Sequence, residues 1–290
     1  MPKKVLITGT SSGFGKLIAN TLLQNGQTVV ASMRDIEGRN KNAAGELRTA
    51  GARVVEIDVT DDASVQAGVA AANDAAGGID VLINNAGVGV LGLQEAFTPD
   101  DWQRLFDINV FGVQRVTRAV LPSMREQGSG LLIFISSLLG RMVLPFFGPY
   151  NASKYAVEAL ADNYRVELSG FGIDSVIIEP GAYNTGFGES LMMPSDAERL
   201  ASLGDYANAP AQMMEQFGEN MMGDDALDPQ WIADAAAKLI DQAAGQRPFR
   251  TVVDGLGMGE LIEPYNQQHQ QLTAGIYAAF GMADMLTLKA

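Results

Sequence analysis

Seven short apolar runs punctuate the chain, each separated from the next by a longer stretch of mixed polarity. They are "KVLIT" (4–8), "TVVASM" (28–33), "RVVEI" (53–57), "DVLIN" (80–84), "LLIFIS" (131–136), "DSVIIE" (174–179) and "FRTVVD" (249–254). Rich in β-branched and aromatic residues, they are nearly continuous in apolarity, as strands covered on both faces are. Between them, "FGKLIANTLLQNG" and "DDASVQAGVAAANDAAGG" carry apolar residues at helical spacing and end in glycines suited to a helix C′ position. The alternation predicts an α/β chain with a doubly wound parallel sheet of about seven strands and helices on both faces. No internal repeat or second domain interrupts it, so residues 1–290 read as one domain. An irregular insertion spans 186–228, and a helical extension is expected over 256–290.

The first strand runs into "TGTSSGFG", Thr8 to Gly15. Glycines there allow a tight turn and a close backbone approach, and the following helix offers free N–H groups to a pyrophosphate. The spacing is Gly-x-x-x-Gly-x-Gly, a moderate signal for a dinucleotide site. The same residues match Gly-x-Ser-x-Gly, which makes Ser11 a would-be hydrolase nucleophile with His269, the single histidine, downstream. Two features count against that reading. The serine would follow the first strand, with no earlier strands to flank it, and His269 sits in a polar segment. The second strand ends "ASMRD". Met33 stands where an acid would bind ribose hydroxyls, and Arg34 follows, which favours a 2′-phosphate and hence NADP(H) over NAD(H).

"PYNASKYA" places Tyr150 and Lys154 four residues apart, on one face of a helix. An ammonium near a phenol is expected to lower the phenol's pKa toward working pH. Ser137 lies at the C-terminal end of the fifth strand, the edge at which open α/β sheets hold ligands. A serine and a tyrosine hydroxyl there can grip one carbonyl oxygen, although Ser137, like Ser136 beside it, also reads as a cap.

Composition narrows the field. Formal charge is −14, with a sequence pI of about 4.4, and nothing basic is clustered to meet nucleic acid or an anionic membrane. There are no cysteines, which excludes disulfides and thiolate chemistry. The chain lacks an apolar run long enough to span a membrane, and its start lacks the features of a signal peptide. A cytoplasmic location is expected.

Taken together, "TGTSSGFG", "NNAG" (84–87), Asn109, "ISS…YNASK" and "PGAYNT" (180–185) resemble the short-chain dehydrogenase/reductase family, in particular its steroid- and retinoid-type members. The resemblance covers residues 4–185 and implies a Rossmann-like fold and a catalytic set. Tyr150 would be the general acid/base, Lys154 would lower its pKa and hold the nicotinamide ribose, and Ser137 would polarise the carbonyl. Asn109 would sit where the fourth helix is locally opened, holding a water that relays protons. The cofactor would be held by Gly9, Ser11, Ser12, Gly13, Phe14 and Gly15, with Arg34, Asp58 and Val59 toward the adenosine end. Asn85, Ala86 and Gly87 would line its ribose, and Pro180, Gly181 and Thr185 would close over the carboxamide. Ser12 is a departure, because NADP-preferring relatives often carry a basic residue there.

The insertion at 186–228 is expected to be a substrate lid. It holds six of the thirteen methionines, which suit a pocket that adapts to apolar ligands. With Leu138, Met142, Val143, Leu144, Phe146 and Phe147 it suggests a bulky hydrophobic ketone or secondary alcohol. The resemblance also implies a homodimer or homotetramer through the helices at 100–127 and from 150. A non-catalytic dinucleotide-binding regulator is the main alternative, with the Ser11–His269 hydrolase behind it.

Overall fold

In the computed structural model, which describes residues 1–183, 185, 188–221 and 227–289, all seven apolar runs form strands. They are β1 (Lys4–Thr8), β2 (Thr28–Met33), β3 (Arg53–Glu56), β4 (Val81–Asn84), β5 (Gly130–Ile135), β6 (Ile173–Pro180) and β7 (Arg250–Val253). Every pairing between them is parallel, in the order β3-β2-β1-β4-β5-β6-β7. Successive side chains alternate between two cores, which accounts for the unbroken apolarity of the runs. On β5, Leu131, Ile133 and Ile135 enter one core, while Leu132 and Phe134 enter the other.

The helices are α1 (Gly13–Gln24), α2 (Lys41–Thr49), α3 (Asp62–Ala76), α4 (Pro99–Phe106), α5 (Gly112–Gln127), α6 (Gly148–Leu168), α7 (Ala197–Ser202), α8 (Ala209–Met221), α9 (Gln230–Asp241) and α10 (Gly259–Ala279). Leu22, Leu47 and Ile232 bring α1, α2 and α9 to the first core. Val65, Val116 and Ala161 bring α3, α5 and α6 to the second. Local chemistry sets the boundaries. Asp61 caps α3 by accepting from the Ser64 N–H at 2.7 Å, and Gly77 ends it at φ +70°, a conformation without cost only for glycine. Between α4 and α5, residues Asp107–Phe111 form a π turn.

Strand order reverses about β1, whose neighbours are β2 and β4, so the loops leaving the C-terminal ends of these strands part and open a crevice. The insertion lies over it. Met192 exchanges backbone hydrogen bonds with Gly89 and Leu91, and Asp196 donates to Ala96 O. Buried Asp101 fixes it further, with Oδ2 accepting from the Ser195 N–H (3.0 Å) and Oγ–H (2.7 Å). At the other edge α10 packs along β7, and the Lys289 N–H donates to Ser169 O.

Candidate active site

A cleft of about 390 Å³ crosses the C-terminal ends of β1, β2, β3, β4 and β5. Its floor is the turn from β1 to α1. Gly9 has φ +71°, and a Cβ there would meet Ala86 Cα at 2.8 Å, so glycine lets the two loops touch. Gly13 has φ +54° and no atom within 4 Å of a notional Cβ, leaving its backbone open to the cleft. The buried Gly15 lets the start of α1 sit against the turn itself, since a Cβ there would fall 2.3 Å from Gly9 O. Nothing acidic occupies the first turn of α1, and Ser12 makes no side-chain cap, so the leading N–H groups face the cleft without a competing carboxylate.

The wall opposite is "NNAG". Thr8 Oγ1 accepts from the N–H groups of Asn85 and Ala86, both at 3.0 Å, and Asn85 Nδ2 donates to Thr8 O and Gly9 O. Asn109, in the π turn, grips the next residue at both ends. Its Oδ1 accepts from the Val88 N–H and its Nδ2 donates to Val88 O, each at 2.9 Å, with a further bond to Ser153 Oγ.

At the adenosine end of such a cleft, Arg34 and Arg39 are both exposed and line the mouth. Neither forms a salt bridge among the described residues. Asp58 Oδ1 accepts from the N–H and Oγ of Thr60 at 3.0 and 2.7 Å, and the cap of α3 is Asp61 instead. Partial burial would raise the Asp58 pKa, but the Thr60 bonds and the two arginines outweigh it and hold it below the usual aspartate value.

At the other end, Tyr150 and Lys154 face the cleft from α6. The Tyr150 hydroxyl is hydrogen-bonded to Ser137, whose Oγ also accepts from the Leu139 N–H at 3.1 Å. Lys154 Nζ donates to Ile135 O at 2.8 Å and stands 5.5 Å from the Tyr150 ring centre. The titration of this pair departs from the sequence expectation. Burial pushes the Tyr150 phenol above its ordinary value of 10, and the Ser137 bond only partly opposes that. Burial also lowers Lys154 to about 8, against the pull of Glu158. Desolvation therefore outweighs the ammonium's effect on the phenol, which stays protonated at neutral pH.

A family model described as short chain dehydrogenase matches residues 3–194. The chain belongs to the short-chain dehydrogenase/reductase family. This dehydrogenase/reductase is 34% identical over 255 residues to a 3-ketodihydrosphingosine reductase of Bacteroides thetaiotaomicron, covering 88% of this chain and 89% of that protein. It is 35% identical over 257 residues to retinol dehydrogenase 8 of Bos taurus, covering 83% and 79%. Its fold matches the crystal structure of a short chain dehydrogenase/reductase from Burkholderia phymatum in complex with NAD, with a TM-score of 0.74 and 28% identity over 93% and 95% of the two chains. The fold is thus Rossmann-like, and the chain is an oxidoreductase of a family that binds NAD(P)(H).

The remaining residues singled out in the sequence of this dehydrogenase/reductase fall as follows. Ser11, Ser12, Phe14, Val59, Gly87 and Thr185 line the cleft with Gly9, Gly13, Arg34, Asp58, Asn85, Ala86, Tyr150 and Lys154, whereas Gly15, Asn109 and Ser137 stand behind its surface. Pro180 ends β6, and a Cβ on Gly181 would strike Asp254 Oδ1; neither residue lines the cleft. The hydrolase pair is not brought together. Ser11 follows β1, whereas His269 is on α10 beside β7, four strand spacings or about 19 Å away across the sheet. Asn40, Thr60, Val88, Ile108 and Ser190 also line the cleft. Only the loop following a recognised strand end could have signalled Asn40 and Thr60, and nothing local signals Ser190. Of the methionines in the insertion, Met192 packs with Val90, Phe97, Leu105, Leu139, Phe147 and Tyr150. Met193 is exposed, Met213 and Met214 are half-buried, and Met222 and the side chain of Met221 lie outside the described residues. No helix among the described residues is long and apolar enough to cross a membrane.

Proposed function

We propose that this protein is an NADP(H)-dependent oxidoreductase that interconverts a carbonyl and a secondary alcohol on a bulky hydrophobic substrate, with Tyr150 as general acid/base. The observation that carries the reading is the Ser137–Tyr150 hydrogen bond beside Lys154, between a glycine-floored cleft and an apolar cluster that includes Tyr150 itself. The residues present fit a nicotinamide dinucleotide: Gly13 leaves open space where a phosphate would approach, and two arginines stand unbridged where a 2′-phosphate would lie. When bound, that cofactor supplies or takes up the hydride.

The chain's own groups do the rest. Ser137 and Tyr150 hydroxyls orient one substrate oxygen, and the phenol, held protonated by burial, gives it a proton during reduction. Lys154 and Thr185 would hold the nicotinamide end, and Arg34 and Arg39 the 2′-phosphate. Asn109 fixes the loop at Val88 against the π turn. The cluster of Val90, Phe97, Leu139, Phe147 and Met192 favours an apolar substrate. Relatives named for 3-ketodihydrosphingosine and retinol are consistent with that class. Segment 186–228 acts as its lid. We place the enzyme in the cytoplasm as a homodimer or homotetramer, with the exposed Phe111 and Tyr155 on the associating faces.

The test is NADPH consumption against a panel of ketones, followed at 340 nm (a wavelength set by the reduced nicotinamide). Turnover of bulky apolar ketones with NADPH is expected. Turnover restricted to small polar sugars or hydroxy acids would overturn the substrate class, and turnover with NADH alone would overturn the cofactor.

A further inference from the structure

The C-terminal helix meets the active site through buried charge. Arg141 lies four residues past Ser137, and Glu158 one turn past Lys154; Glu179 is near the end of β6 and Arg250 is on β7. All four side chains are at most 5% exposed. Arg250 Nε stands 2.8 Å from Glu158 Oε2 and 3.4 Å from Glu179 Oε1, and Arg141 Nε is 3.8 Å from Glu179 Oε1. Asn266 of α10 completes the group. Its Oδ1 accepts from Arg141 Nε at 2.8 Å, and its Nδ2 donates to Glu179 Oε2 at 2.6 Å. Tyr265, the preceding residue, lies under the Arg141 guanidinium, 4.5 Å from the ring centre.

We propose that Asn266 and Arg141 are positioning residues that hold the Ser137 turn against Tyr150, which makes α10 a working part of the active site. The inference rests on the reading of Ser137 and Tyr150 given above. Three segments that carry proposed site residues each send one charged side chain into this group: the Ser137 turn sends Arg141, α6 sends Glu158, and β6 sends Glu179. The turn itself is tight. Gly140 N–H donates to Ser137 O, and the N–H groups of Arg141 and Met142 both donate to Leu138 O. Any displacement of Arg141 is therefore passed to Ser137 within one turn of chain. Gly140 leaves no slack on the α6 side, since a Cβ there would lie 3.0 Å from Glu158 Cγ.

Arg141 depends on Asn266 more than on its ion pair. The hydrogen bond to Asn266 Oδ1 is 2.8 Å long against 3.8 Å to the carboxylate, and Arg141 Nη2 has no hydrogen-bond partner among the described residues. In a dry network, losing one such bond leaves a charge uncompensated, and its side chain shifts to find another. Burial and the neighbouring Glu158 raise Glu179 to about 8 against the Asn266 bond and the two arginines, so this carboxylate too is sensitive to loss of the amide. Lys154, Tyr155, Asp162, Arg165, Tyr265 and His269 also face the cluster.

The test compares wild type, Asn266→Leu and the exposed control Gln267→Leu, each checked for fold by circular dichroism. NADPH affinity is read by fluorescence, and kcat and KM are measured for an apolar ketone. The expected result for Asn266→Leu is a kcat lower by about 10- to 100-fold with unchanged NADPH affinity. The loss should fall on kcat and not on the ketone KM, because Ser137 acts on a carbonyl that is already bound, while Gln267→Leu behaves as wild type. Asn266→Ser carries the same expectation and serves if the leucine variant does not fold. An unchanged kcat in a folded variant, or a loss confined to the ketone KM, would overturn the proposal. So would a parallel loss of NADPH affinity and kcat, which would reduce Asn266 to a fold contact. Absence of turnover in wild type, by contrast, overturns the proposed function.

Discussion

Removing the Arg34 guanidinium, as in Arg34→Met, separates the two nicotinamide cofactors by a calculable amount. Arg34 is exposed at the cleft mouth, forms no salt bridge among the described residues, and is joined there by Arg39. Two unit charges 4 Å apart attract by about 1 kcal/mol in water and about 4 kcal/mol at the effective dielectric of a protein surface. Exposure and the remaining Arg39 place the loss toward the lower end, at about 1–2 kcal/mol, or roughly 5- to 30-fold in affinity. Fluorescence titration should show NADPH binding weakened by that factor and NADH binding unchanged. Raising the salt concentration should narrow the difference between wild type and variant, since exposed cations are screened. Asp58 supplies an internal check. The Arg34 field helps hold its pKa down, so that pKa should rise in the variant. Equal weakening of both cofactors would refute the reasoning, because a fold defect and not a missing phosphate contact would then be at work.

Other consequences follow from the same geometry. Ser137→Ala should lower kcat by about 10²–10³-fold and spare NADPH affinity, because it removes the hydroxyl that stands beside Tyr150 to orient the substrate oxygen. Lys154 loses its proton near 8, so if its cation is required, kcat/KM for reduction should fall as pH rises through that value, and a pH profile of Lys154→Met should lack that limb. Asp101→Ala should raise the ketone KM several-fold and speed proteolysis of the 186–228 insertion while sparing NADPH affinity, since Asp101 ties Ser195 to α4. The bonds from Ser195 and Thr98 outweigh burial and depress the Asp101 pKa, so its contribution to stability is present above the ordinary aspartate value of 3.8 and is lost as pH falls through the folded pKa. Thermal melts in acid check that sign.

The sheet was legible because two-sided burial writes itself into the chain as runs of Val, Leu and Ile. All seven runs are strands, differing from expectation by a residue or so at their ends. Local spacing likewise brought Tyr150 and Lys154 to one helix face, and the glycine pattern located the β1–α1 turn. Energetics were less readable than placement. The effect expected of Lys154 on Tyr150 ignored the cost of burying both groups, which proved the larger influence. Contacts between distant segments left no local trace. Arg141 and Asn266 are 125 residues apart, and neither sits in a motif. Phe146 shows the same limit. Its φ of +68°, costly for a bulky residue, is held by Gly92, whose N–H donates to Phe146 O, and by edge contact with Tyr206 of the insertion.

The central claim, that Tyr150 moves the proton in a carbonyl–alcohol interconversion, is tested most directly by Tyr150→Phe. The substitution deletes one hydroxyl and keeps the ring in its apolar cluster. Retained NADPH affinity with kcat reduced by about 10²–10⁴-fold is the expected result. Turnover equal to wild type, with cofactor still bound, would contradict the account.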